Sequence, residues 1–119
     1  MISTDTIEAY NTRLNVDLTN LKKLTPAQRD TVKAYGSQAE ALLLNRDLAQ
    51  FIHHFKFEIN DALVNITKHD PEANAERIAL ANQLSGLDAF VVSLKRAVYH
   101  KNKVVQLEQQ PIDSSNQVI

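Results

Sequence analysis

The chain has 119 residues, 44% of them hydrophobic and 23% charged, with 13 Lys+Arg against 14 Asp+Glu and a net charge of −1. That length suits one domain with a modest core, the composition is too apolar for general disorder, and the balanced charge gives no bulk attraction to nucleic acid or to an anionic membrane. The lack of cysteine excludes disulfides and thiolate metal sites.

Two glycines and three prolines are too few breakers for a strand-rich fold, and the apolar residues recur at helical rather than alternating spacing, so the chain reads as all-α. The first segment is expected to run from about Thr6 to Leu24, with Ile7, Tyr10, Leu14, Leu18, Leu21 and Leu24 on one face. Asp5 and Glu8 give it a cap-then-acid start, and Lys22 and Lys23 suit the negative end of its dipole. Thr25-Pro26-Ala27-Gln28 then combines an N-cap, a proline at the first helical position and a capping-box glutamine.

That signal opens a second segment from Pro26 to about Lys68, which Gly36 alone is expected to bend or break. Leu44, Leu48, Phe51, Ile52, Phe55, Ile59, Ala62, Leu63 and Ile66 form its main apolar stripe. Phe57 and Val64 point to nearly the opposite side with Arg46, His53 and Asn60, and Leu42 lies near that second face. A helix apolar on two sides is usually sandwiched between neighbours.

Asp70-Pro71-Glu72 opens the third segment, from Pro71 to about Gln109. Leu80, Leu84, Leu87, Val91, Leu94, Val98 and Val105 follow a heptad interrupted only by Lys101, which favours shallow, coiled-coil-like packing. The short link around His69 allows only an antiparallel hairpin. Counted back from that link, Gly86 should lie near His53–Phe55, where a missing side chain would accommodate a bulky neighbour. The expected architecture is a long antiparallel helical hairpin with a shorter N-terminal helix, in one helical domain over residues 1–109. Residues 110–119 read as a flexible tail. No segment nears the ~18 apolar residues of a membrane span, and Met1–Asp5 lacks the basic-then-apolar pattern of a leader, so a cytoplasmic setting is expected.

No Gly-rich phosphate loop or nucleophile elbow is present, and no cofactor or catalytic group is assigned. Asp47, His54, Glu58 and Asp61 share one side of the second segment. The third segment offers no Glu-x-x-His with which to complete a two-helix metal site, so these residues read as the polar flank of a core. The third segment also holds a basic run, in which Arg96, Tyr99, His100 and Lys103 share a face suited to an anionic partner. Arg46 and His53, seven residues apart with Asp47 following the arginine, loosely resemble the Arg and His pair of small all-α ribonucleases of the HEPN type. The pair there is a few residues apart and is assembled across a dimer. The resemblance implies an alternative reading as a small RNA- or DNA-associated protein, and the chain is not assigned to that family on this pair.

The excess of apolar faces carries the main expectation: a non-enzymatic protein–protein interaction module of adaptor, scaffold or inhibitor type, closing on itself as a homodimer or higher homo-oligomer. Leu42, His53, Phe57 and Val64 are the candidate protein interface, with a protein partner of unknown identity and no role for a membrane.

Overall fold

The computed structural model describes residues 16–110, which belong to two compact units. One combines residues up to Ser37 with those from Ala97 onward, and the other is Gln38–Arg96. Among the described residues there are three α-helices and no strand: α1 Pro26–Leu43, α2 Arg46–Asn65 and α3 Pro71–Gln109. No described helix is long and apolar enough to cross a membrane.

In the first unit, the capping box that opens α1 is reciprocal. The Gln28 amide N–H donates to the Thr25 hydroxyl oxygen at 3.2 Å, and the Thr25 N–H donates to Gln28 Oε1 at 3.0 Å, satisfying two orphan donors of the first turn. Leu24, Val32 and Val104 form the buried core, with Val16, Leu18 and Leu21 packed against it. Glu108 accepts from Lys33 Nζ at 2.7 Å, and this hydrogen bond raises the lysine above its ordinary pKa.

The expected N-terminal helix does not extend through its described part. Residues 16–20 are not helical, and only a short 3-10 turn at Leu21–Lys23 follows. The Asp17 carboxylate accepts from both the hydroxyl and the backbone N–H of Thr19, an alternative to helical pairing that short polar side chains offer their own backbone. The same two bonds hold the Asp17 carboxyl below its ordinary pKa. Ile7, Tyr10 and Leu14, like the tail from residue 111, lie outside the described residues.

Gly36 does not break α1. It is buried within the helix, and a Cβ placed there would lie 2.7 Å from the Ala97 carbonyl oxygen and closer still to Lys101 Cβ. The glycine therefore lets α1 and α3 approach closely, and Lys101, at the polar gap in the heptad, is the residue on which it packs. The second segment instead breaks at Leu44-Asn45, giving two helices where one was expected. Asn45 is extended, and its side-chain oxygen accepts from the Leu48 N–H at 2.8 Å. Asp47 supplies an acid for the first turn of α2.

In the second unit, α2 and α3 form the antiparallel hairpin. Asp70 caps α3 by accepting from the Ala73 N–H at 2.8 Å. Arg77 donates to the carbonyls of Ile66 and Lys68 and, at 2.7 Å, to Asn74 Oδ1, so one guanidinium satisfies the carbonyls left free where α2 ends. Ala39, Ile59, Ala73 and Leu94 are buried; Leu48, Ile52, Leu63, Leu80, Leu84, Leu87 and Val91 are half-buried. Lys56 pairs with Asp88 at 3.3 Å on one flank of the hairpin. Gly86 does not sit under a bulky neighbour, because the space beside it is open.

Candidate interaction surfaces

With two helices and the end of α1 to share its interior, the second unit leaves much of the expected α2 stripe uncovered. Phe51 is 72% exposed, Leu44 79% and Phe55 39%. The inward face of α2 is narrower than the periodicity suggests: Ile59 is buried and Leu48, Ile52, Ala62, Leu63 and Ile66 are half-buried, while Leu44, Phe51 and Phe55 are exposed. Two antiparallel helices have a narrow contact seam, and a broad stripe needs a third neighbour to cover its edges.

The residues expected to form a protein interface are exposed, and three of the four are linked. Leu42 and His53 line one cleft of about 210 Å³ with Leu43, Leu48, Ile52 and Val91. The His53 ring stacks on Phe57, with centroids 6.3 Å apart and planes at 28°. Phe57 is 62% exposed and does not line the cleft; Val64, two turns further along α2, is 78% exposed. A short apolar path thus runs from Leu42 through His53 to Phe57, with Val64 apart from it on the same side of α2. Arg46 is the first residue of α2, and its side chain and that of His53 are both exposed.

Arg96 ends the second unit. Tyr99, His100 and Lys103 lie in the first unit, where they line a cleft of about 610 Å³ with Lys22, Leu21 and Leu107. Lys103 Nζ stands 5.6 Å from the centroid of the Tyr99 ring, in range for a cation–π contact. The His100 ring meets that of Tyr99 edge-on, with centroids 5.6 Å apart. Lys22 is the member that sequence reasoning assigned elsewhere: it reads as a dipole partner for an N-terminal helix, whereas the 3-10 turn brings it to the cleft.

Among the described residues no group of three or more His, Asp or Glu side chains is placed to hold a metal ion. Comparison with known proteins yields no match: no family model, no curated protein and no solved structure is similar to the chain.

Proposed function

We propose that the chain is a non-enzymatic, helical protein–protein interaction module that self-associates through the face bearing Leu42, His53, Phe57 and Val64. The observation that carries this reading is the exposure of Phe57 and Val64, at 62% and 78%, on the side of α2 that does not meet α3. Full burial of a Phe or Val contributes about 1.5–3 kcal/mol. Scaled by that exposure and duplicated across a two-fold axis, this pair offers roughly 4–8 kcal/mol of gross burial. That range overlaps the cost of immobilising two chains, so a measurable dimer needs Leu42 and the His53 ring as well. No cofactor enters this reading, and a cytoplasmic setting accords with it.

The test is molar mass by light scattering across a concentration series at low and high salt. The wild-type chain is expected to be a dimer or larger at both, and Phe57→Asp is expected to be monomeric with unchanged helical circular dichroism. A strict monomer across the series overturns self-association.

A second reading, association with RNA or DNA, draws on one observation: Lys22, His100 and Lys103 line a single cleft beside Tyr99. It requires nucleic-acid binding that weakens steeply with salt, since phosphate contacts release counterions. Salt-insensitive self-association without such binding rejects it.

A further inference from the structure

A different flank of the hairpin carries Asp47 and Glu58 beside exposed phenylalanines. The Lys56–Asp88 pair marks one edge of the α2/α3 seam. At 100° per residue, Phe51 and Glu58 fall on the other side of α2 from Lys56, and Glu76, Gln83 and Phe90 fall on the other side of α3 from Asp88. In an antiparallel pair these two sets lie along the same edge of the seam. With Lys56 level with Asp88, the backbones of Phe51 and Phe90 stand within about one helical turn of each other along the axis. Phe55 borders the same edge.

Phe51, Phe55 and Phe90 are 72%, 39% and 46% exposed, so three of the four phenylalanines in the chain meet water along one edge of a two-helix layer. The charges there are of one sign. Asp47 and Glu58 on α2, and Glu72 and Glu76 on α3, are exposed along or beside this edge, whereas His54 and Asp61 turn to the outer face of α2. The bases of these helices within the second unit lie elsewhere: Arg46 and Arg96 on outer faces, Lys56 and Lys95 toward the opposite edge, and Arg77 on the carbonyls of the link. Lys68 is the base nearest the acidic end, in the link, where it shares a shallow cavity with Glu76. Gly86, next to this edge on α3, leaves open space.

We infer that this edge is a docking groove for a basic amphipathic helix of a separate protein, laid along the α2/α3 seam so that the second unit becomes a three-helix layer. Helix-in-groove recognition needs an apolar trough for anchors at i, i+3/i+4 and i+7, and the edge supplies it in Phe51, Phe55 and Phe90. The acidic fringe selects the sign of the ligand, because Lys and Arg flanking the anchors would meet Asp47, Glu58, Glu72 and Glu76 rather than like charge. The same fringe opposes a second copy docking edge to edge, since it would set acid against acid. The inference rests on the reading of the chain as an interaction module, but it uses a different surface from the self-association face.

The test uses the full chain and a fluorescent Leu/Lys amphipathic peptide of about five helical turns, read by anisotropy at low and high salt, with a Leu/Glu peptide of the same pattern as control. The Leu/Lys peptide is expected to bind and the Leu/Glu peptide is not. The double variant Glu58→Lys/Glu76→Lys should weaken binding by about tenfold or more, and Phe51→Ser/Phe90→Ser by a similar factor. Phe57→Asp should leave it unchanged. All these positions are exposed, and helical circular dichroism of each variant verifies folding. Failure of the Leu/Lys peptide to bind, equal binding of both peptides, or binding indifferent to the edge variants overturns the inference. So does loss of self-association in the edge variants, which would give the edge to a second copy. A monomeric wild type that still binds the Leu/Lys peptide at this edge would reject the self-association reading and keep this one.

Discussion

Alanine at the two glycines should change stability in opposite directions. Both sit inside helices, and no described glycine has a positive φ, so each alanine gains about 0.5–1 kcal/mol of intrinsic helix preference. At Gly86 nothing lies within 4 Å of the added methyl, and that gain should appear almost whole. At Gly36 the methyl would stand 2.7 Å from the Ala97 carbonyl oxygen and against Lys101 Cβ. Both are backbone or next to backbone, so neither can swing away, and overpacking of this kind costs about 1–3 kcal/mol. The net expectation is a loss of roughly 1–2 kcal/mol for Gly36→Ala and a gain of roughly 0.5–1 kcal/mol for Gly86→Ala. In a chain of this size each kcal/mol moves Tm by about 3–6 °C. Thermal and urea unfolding at one fixed protein concentration would read both, the concentration being held because self-association shifts apparent stability. Equal stabilisation by the two alanines would refute the close approach of α1 to α3 at Gly36.

Three further outcomes are expected. Arg77→Met should cost about 1.5–3 kcal/mol in urea unfolding, because it strips the charged donor from the Ile66 and Lys68 carbonyls. Asn45→Ala should cost about 1 kcal/mol and Asn45→Gly only a few tenths, with hydrogen exchange at the Leu48 amide rising first. The Lys33–Glu108 pair contributes a pH dependence of defined sign: the folded-state pKa of Lys33 is raised, so its contribution is complete below the unfolded lysine value and is lost as pH rises through the folded one. In alkaline melts, Glu108→Gln should reduce that decline to the part Asp30 supplies at 3.5 Å, and leave the neutral-pH curve little changed, since exposed pairs add little.

What the sequence made legible was the part governed by local rules. Thr25 with Gln28 and Asp70 with Pro71 name their helix starts because capping is decided within four residues, and both caps are present. The heptad of the third segment gives the inward face of α3 as far as Leu94, because its period is set by one helix; beyond it the buried residues are Ala97 and Val104, each one position before the expected Val98 and Val105. Asn45 was equally legible in principle, an N-cap type followed by Asp47 and Leu48, but a continuous apolar stripe ran over it. The stripe was the weaker signal, because a side chain's distance from its neighbour decides burial and that distance is tertiary. Gly36 makes the same point. Its low helix preference reads as a breaking signal, while its actual role depends on Ala97 and Lys101, more than sixty residues away in sequence.

The exposed apolar residues follow from that limit and bear directly on function. A helix records in its own sequence every face it must bury, whether against its own chain or another, and periodicity does not separate the two. Phe51, Phe57 and Val64 satisfy the helical pattern of a sandwiched helix, yet within the described chain they stand 72%, 62% and 78% exposed. Misfolding is a poor account of this, because the caps, the Lys56–Asp88 pair and the Arg77 clamp agree on one hairpin and local and global preferences point the same way. Among the described residues, this surplus of apolar face over interior is the feature on which the proposed interaction module rests. It divides into one patch around Phe57, beside which Arg46 and Asp61 carry opposite charges, and another around Phe51 and Phe90, beside which Asp47, Glu58 and Glu76 carry one sign.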